Sequence, residues 1–206
     1  MQDNELSTKQ RILASAVNLF AEKGFTETSM RELADAVGLN VASLYNHFPS
    51  KNAILDFILE DFLTKIANTL HQDKLAELKT KPSADGIVSC LMLGFPPEKA
   101  DYYLKVLFVM LHEQYRNSTV GKLMSEQIIM GGEQVIRTII DELIKSKVLA
   151  EGTDPDFWAK AHSSLVYSFS CRRALGIGDN SPDFSGMSMV DMLRNLYDLM
   201  LKTCKA

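Results

Sequence analysis

Two helix starts and two helix stops fall in close order between Ser29 and Lys51, and this punctuation constrains the fold more than any other part of the chain. Ser29 followed three residues later by Glu32 is a capping box, in which hydroxyl and carboxylate each satisfy a free backbone N–H, so a helix starts near Met30. Leu33, Ala34 and Val37 give that helix one apolar face. Gly38 stands where a helix end favours a residue that tolerates positive φ, and Leu39 plugs the turn. Asn40 is a good cap for a second short helix, Val41 to about His47. Pro49 stops it, because a residue before proline avoids the α region.

Two short helices joined by a tight turn containing glycine read as a helix-turn-helix. In that motif the second helix enters the DNA major groove and its early residues meet base edges. Val41, Ala42 and Ser43 are small enough to bring the backbone close, and Asn40, Tyr45, Asn46 and His47 offer polar groups to bases or phosphates. Thr28 and Ser29 lie at a helix N-terminus, where hydroxyl and backbone N–H can hold a phosphate; Ser29 acting only as a cap is an equal reading. Arg31 and Lys51 are the candidate phosphate cations. An ordinary helical hairpin packed in a core is the competing interpretation of the stretch.

The flanking residues favour the DNA-binding reading. Arg11-Ile12-Leu13-Ala14, Ala16, Leu19-Phe20, Gly24-Phe25, Thr28-Ser29-Met30, Leu33-Ala34, Ala36-Val37-Gly38, Ser43-Leu44-Tyr45, His47-Phe48 and Ser50-Lys51 all fall at the offsets of one pattern. About a quarter of the chain thereby resembles the N-terminal domain of the TetR family of bacterial one-component repressors; the remainder is similar only in length and helical character. The resemblance implies an all-α protein with a three-helix head at residues 1–50, and a helical ligand-binding and dimerisation domain at residues 51–206. It also implies pairing of the final two helices in a homodimer.

Charge argues in the other direction. The formal net charge is −4, and in the head Lys9, Arg11, Lys23, Arg31 and Lys51 are outnumbered by Asp3, Glu5, Glu22, Glu27, Glu32 and Asp35. Phosphate contacts need only a few cations on one face, together with helix N-termini and hydroxyls. The balance therefore predicts weak non-specific affinity, since few counterions are released.

Helical periodicity runs through the rest of the chain. Ser7 or Thr8 caps a first helix, Ser7 and Gln10 having capping-box spacing; its Ile12, Leu13, Ala16, Val17 and Phe20 form a stripe, closed at Lys23-Gly24. Residues 1–6 read as a loose arm. A fourth helix runs from Ser50-Lys51 to about Leu70 and links head to body. Gln72 to Gly86, with Lys79, Lys81, Pro82 and Ser83, reads as a frayed helix end and a loop. Asp85 to Phe95 is a helix ended by Pro96-Pro97, and the next, to about Arg116, is apolar on nearly all sides and so expected to be buried all round. Thr119 to Lys147 reads as one long helix kinked or closely packed at Gly131-Gly132. Pro155 to Ile177, capped by Asp154, and Ser188 to Lys202 complete the set, with a loop from Asp179 to Gly186 between them.

The last two helices each carry an apolar stripe that suits either a dimer surface or their own core; the resemblance favours the dimer. Eight of the ten methionines lie beyond residue 90. Methionine adapts to irregular cavities, so a small-molecule pocket is expected there, with Phe95, Phe108, His112, Tyr115, Met124, Trp158 and His162 as candidate lining groups for a lipophilic or aromatic effector.

Enzyme chemistry and cofactors are not expected. The histidines His47, His71, His112 and His162 lack metal-ligand spacing, and no Gly-rich phosphate loop or G-x-S-x-G elbow occurs. Cys90, Cys171 and Cys204 lie far apart and read as reduced thiols of a cytoplasmic protein. No apolar run is long enough to span a bilayer, and the acidic start is unlike a secretory signal. The expected function is a homodimeric, ligand-responsive DNA-binding transcriptional repressor, released from a palindromic operator by a small lipophilic or aromatic effector. An all-helical binding or enzymatic module that ignores DNA is the alternative, and repression cannot be told from activation at this level.

Overall fold

Each helix of the head begins and ends at a side chain that supplies what the backbone there lacks. In the computed structural model, which describes residues 7–67, 72–92, 99–174 and 188–206, α1 spans Thr8–Lys23. Its capping box pairs Ser7 with Gln10, and Gly24 at φ 91° ends it. Helix α2, Met30–Ala36, has the Ser29–Glu32 capping box, and Gly38 takes φ 69° in the turn that follows. Helix α3, Val41–His47, is capped by Asn40, whose side chain accepts from the Ser43 N–H at 2.8 Å. Helix α4 runs Lys51–Ala67.

The body contains α5 (Gln72–Thr80), α6 (Ala84–Met92), α7 (Ala100–Glu113), α8 (Ser118–Leu123), a π-helical segment (Met124–Met130), α9 (Gly131–Lys145), α10 (Pro155–Ala174) and α11 (Met189–Thr203). The all-α fold class expected from the sequence is the one observed: among the described residues the one β feature is an isolated bridge between Leu149 and Lys205.

Several boundaries differ from the sequence reading. The stretch expected to be a frayed end and loop is two helices, α5 and α6, with only Lys81 to Ser83 between them. Leu75 and Leu78 explain this: three residues apart, both are buried against α6, α9 and α11, where Ile87, Cys90, Ile139 and Leu193 complete the cluster. The predicted long helix from Thr119 is interrupted by the π-helical turns, so the glycine pair marks the switch from π to α geometry and not a sharp break. Helix α7 is not buried all round: Asp101 and His112 are exposed, and Tyr102, Leu107 and Phe108 are half-buried. The arm at 1–6, His71, the helix end at Phe95 to Pro97 and the loop Asp179 to Gly186 lie outside the described residues.

Two apolar cores organise the packing. The first joins Ile12, Ala16, Val17 and Phe20 of α1, Leu33 and Ala34 of α2, Leu44 of α3, and Ile54, Ile58 and Phe62 of α4 to Val106, Val109 and Met110 of α7. Head and body therefore share one continuous core through α7. The second core gathers α5, α6, α9, α10 and α11 around Ile140, Leu143, Tyr197 and Met200. No described helix is long and apolar enough to cross a membrane.

Candidate DNA-reading head and effector cavity

Helix α3 is anchored by one side chain. Leu44 is fully buried in the first core, and this fixes the rotation of the seven-residue helix. The opposite face is open: Ala42, Tyr45, Asn46 and His47 are exposed, with Tyr45 at 49%. Val41 and Ser43 are half-buried. The helix thus carries a polar, outward row over a locked inner edge, the geometry that a groove-reading helix needs.

Other predicted DNA contacts are engaged within the protein. Thr28 is buried, and its hydroxyl donates to the carbonyls of Gly24 at 2.9 Å and Leu19 at 3.4 Å, so it closes the α1–α2 turn instead of facing outward. The Lys51 ammonium, expected at a phosphate, donates to the carbonyls of Phe25 (2.5 Å), Thr28 (2.6 Å) and Thr26 (3.1 Å) and lies 4.5 Å from the Phe25 ring centroid. These carbonyls belong to the turn between α1 and α2, outside any helical ladder, and a cation there supplies the donor they lack. Ser29 and Asn40 are both exposed but act as caps.

The remaining cations of the head are mostly occupied too. Arg11 donates to the Val37 carbonyl at 2.6 Å, Lys23 pairs with Glu32 at 2.8 Å, and Lys9 lies 3.8 Å from the Phe57 ring centroid. Hydrogen bonds from Lys23 and Ser29 hold the Glu32 carboxyl at about 2, well below the usual range. Exposed Arg31 is the head cation without an intramolecular partner among the described residues.

A small cavity of about 70 Å³ lies within the body, between α7, the π-helical segment, α9 and α10. Leu107, Met124, Ile128, Ile129 and Val166 supply apolar walls; His162, Ser163, Tyr167 and Ser170 supply polar groups. His162 Nδ1 is 2.7 Å from the Tyr197 hydroxyl of α11. Burial drives the His162 ring down to about 4, so it is neutral, and pushes the Tyr197 phenol well above its ordinary range. A hydrogen bond donated to Tyr115, together with burial, pushes the Tyr167 phenol up to about 12.

The cavity brings together two of the predicted lining residues, Met124 and His162. The others stand elsewhere. His112 is exposed, because its position on α7 faces away from the two cores, and Tyr115 is 85% exposed in the turn after α7. Trp158 packs in the second core and Phe108 against the first. Phe95 lies outside the described residues. The sequence reading missed Ile128, Ile129, Ser163, Val166, Tyr167 and Ser170. Val166 and Ser170 follow His162 in four-residue steps, and Tyr167 follows Ser163 in the same way; that periodicity was the available signal.

The family described as "Bacterial regulatory proteins, tetR family" matches residues 12–57, which span the core of the head and both helices of the turn motif. Residues 12–57 carry the DNA-binding domain of the TetR family. The chain is a DNA-binding transcriptional regulator and not an enzyme. It is 25% identical over 169 residues to a probable HTH-type transcriptional regulator, YttP, of Bacillus subtilis, covering 80% of this chain and 78% of that one. It is 33% identical over 81 residues to the HTH-type transcriptional repressor KstR2 of Rhodococcus jostii, an alignment that spans only 39% of this chain and 40% of the relative. The structure of the ketosteroid regulator KstR2 of Mycobacterium tuberculosis superposes with a TM-score of 0.64 at 16% identity, covering 98% of this chain and 97% of that one; at that identity the likeness is one of fold.

Proposed function

We propose that this chain is a cytoplasmic homodimeric repressor of the TetR family, released from a palindromic operator by a small molecule bound in the body cavity. The observation that carries the reading is α3: Leu44 locks its inner edge, and Tyr45, Asn46 and His47 stand outward in a row. Two copies related by a two-fold axis would set these rows in successive major grooves, roughly 34–36 Å apart. Exposed Phe157 of α10 and Leu199 of α11 support a pairing surface on the last two helices, although most of the α11 stripe, including Met189, Leu193, Leu196 and Met200, packs in its own core.

The route from cavity to head is α7. Leu107 walls the cavity, while Val106, Val109 and Met110 of the same helix pack in the core of the head. Lys105 donates to Asn18 of α1 at 3.0 Å, and the Tyr103 ring lies 5.9 Å from Phe62 of α4. A ligand that favours one placement of α7 therefore favours one spacing of the two α3 helices, a population shift. The relative named as a repressor supports repression over activation.

Selection from a random duplex library tests the reading. The expected result is an inverted repeat bound by two copies; no enrichment, and no DNA binding at low salt, would overturn it.

A further inference from the structure

We propose that the body cavity selects uncharged, largely apolar molecules bearing a carbonyl or hydroxyl oxygen, and that His162 and Ser170 are the residues that read this oxygen. The proposal rests on the reading of the cavity as the effector site. Its walls contain no Asp, Glu, Lys or Arg among the described residues, so a charged ligand would lose its hydration with no counter-charge to replace it.

Two polar groups stand ready for an oxygen. Ser170 is 2% exposed and lines the cavity, and its hydroxyl has no hydrogen-bond partner among the described residues. An occupant that bonds to it supplies a partner that the protein does not, and is favoured. His162 offers a defined tautomer. Tyr197 is fully buried, and His162 is the partner of its hydroxyl among the described residues. The phenol proton is satisfied when Tyr197 donates to Nδ1, and this leaves the imidazole proton on Nε2. The edge that His162 has left to offer the cavity is therefore a donor, and its complement is an acceptor oxygen. Tyr197 acts here as a positioning residue, since it touches His162 and not the ligand.

The cavity, about 70 Å³, is small and partly open, so a bulkier molecule extends through its mouth or displaces a wall. The π-helical wall with Met124, Ile128 and Ile129 departs from the regular helical ladder, and methionine adapts its shape.

Four probes with a common ring test the proposal: cyclopentane, cyclopentanone, cyclopentylammonium and cyclopentanecarboxylate. Each is titrated at neutral pH into the full chain labelled at the methyl groups of Met124 and Ile128. The ketone is expected to bind about tenfold more tightly than the hydrocarbon, the gain of a hydrogen bond to a waiting donor, and the two ions are expected not to shift these methyls. Ser170→Ala should reduce the ketone preference. A His162→Leu/Tyr197→Phe double variant, which removes both partners and leaves neither orphaned, should bring it to within about twofold of parity. Binding of either ion as tightly as the ketone overturns the proposal. So does a preference that survives in both variants, or a failure of all four probes to bind. Operator affinity measured on the same samples separates the two readings: ketone selectivity without any change in DNA binding leaves the chemistry of the cavity standing and removes its role as effector site.

Discussion

The Lys51 ammonium lies 2.6 Å from the Thr28 carbonyl oxygen, across a span in which α2 and α3 are both enclosed. With its bonds to Phe25 and Thr26, this contact ties the start of α4 to the turn before α2. The side chain that charge alone would assign to a phosphate is thus a clamp on the helix-turn-helix. Lys51→Met is expected to lower stability by about 1–3 kcal/mol through the carbonyls left without a donor. It should also weaken DNA binding, yet leave the slope of log affinity against log salt unchanged. A slope reduced by about 0.9 would instead mean that a phosphate contact had been lost.

Leu44 and Tyr45 are neighbours with opposite duties. Tyr45→Ala should weaken binding to the selected duplex about tenfold or more, while stability stays within about 0.5 kcal/mol. Leu44→Ala empties a fully buried site and should cost about 2–5 kcal/mol in urea unfolding. Anisotropy titrations beside unfolding curves separate the two.

His162 gives the body a pH dependence of known sign. Its folded value of about 4 lies below the ordinary 6.5, so on acidification the unfolded chain takes the proton first. The stability contributed by the neutral ring is fully present above about pH 6.5 and is lost as pH falls through about 4, amounting to about 3 kcal/mol. Urea unfolding across that window should show the loss in the native sequence, and His162→Gln should flatten it.

What was legible in the sequence was what is local. The caps at Ser7, Ser29 and Asn40 and the positive φ at Gly38 depend on residues a few positions away, and each stands where its neighbours require. Helix α5 was obscured by its charge: Asp73, Lys74, Glu77 and Lys79 hide Leu75 and Leu78, whose burial is decided by α6 and α9. The engagement of Lys51 and the cavity walls were illegible for the same reason. Both arise from helices distant in sequence, and His162 meets Tyr197 only because α10 and α11 lie side by side.

Exposed Leu199 offers a test of pairing. In light scattering the native chain should weigh as a dimer; Leu199→Glu, which places a charge in the proposed interface, should shift it to monomer and weaken operator binding.

Hydroxyl-radical footprinting of the selected duplex tests the central claim most directly, that α3 reads the groove twice per dimer. The account predicts two protected patches separated by one helical turn, roughly 34–36 Å, both lost in Tyr45→Ala at protein concentrations that saturate the native complex. Protection that is continuous, single, or indifferent to Tyr45 would contradict it.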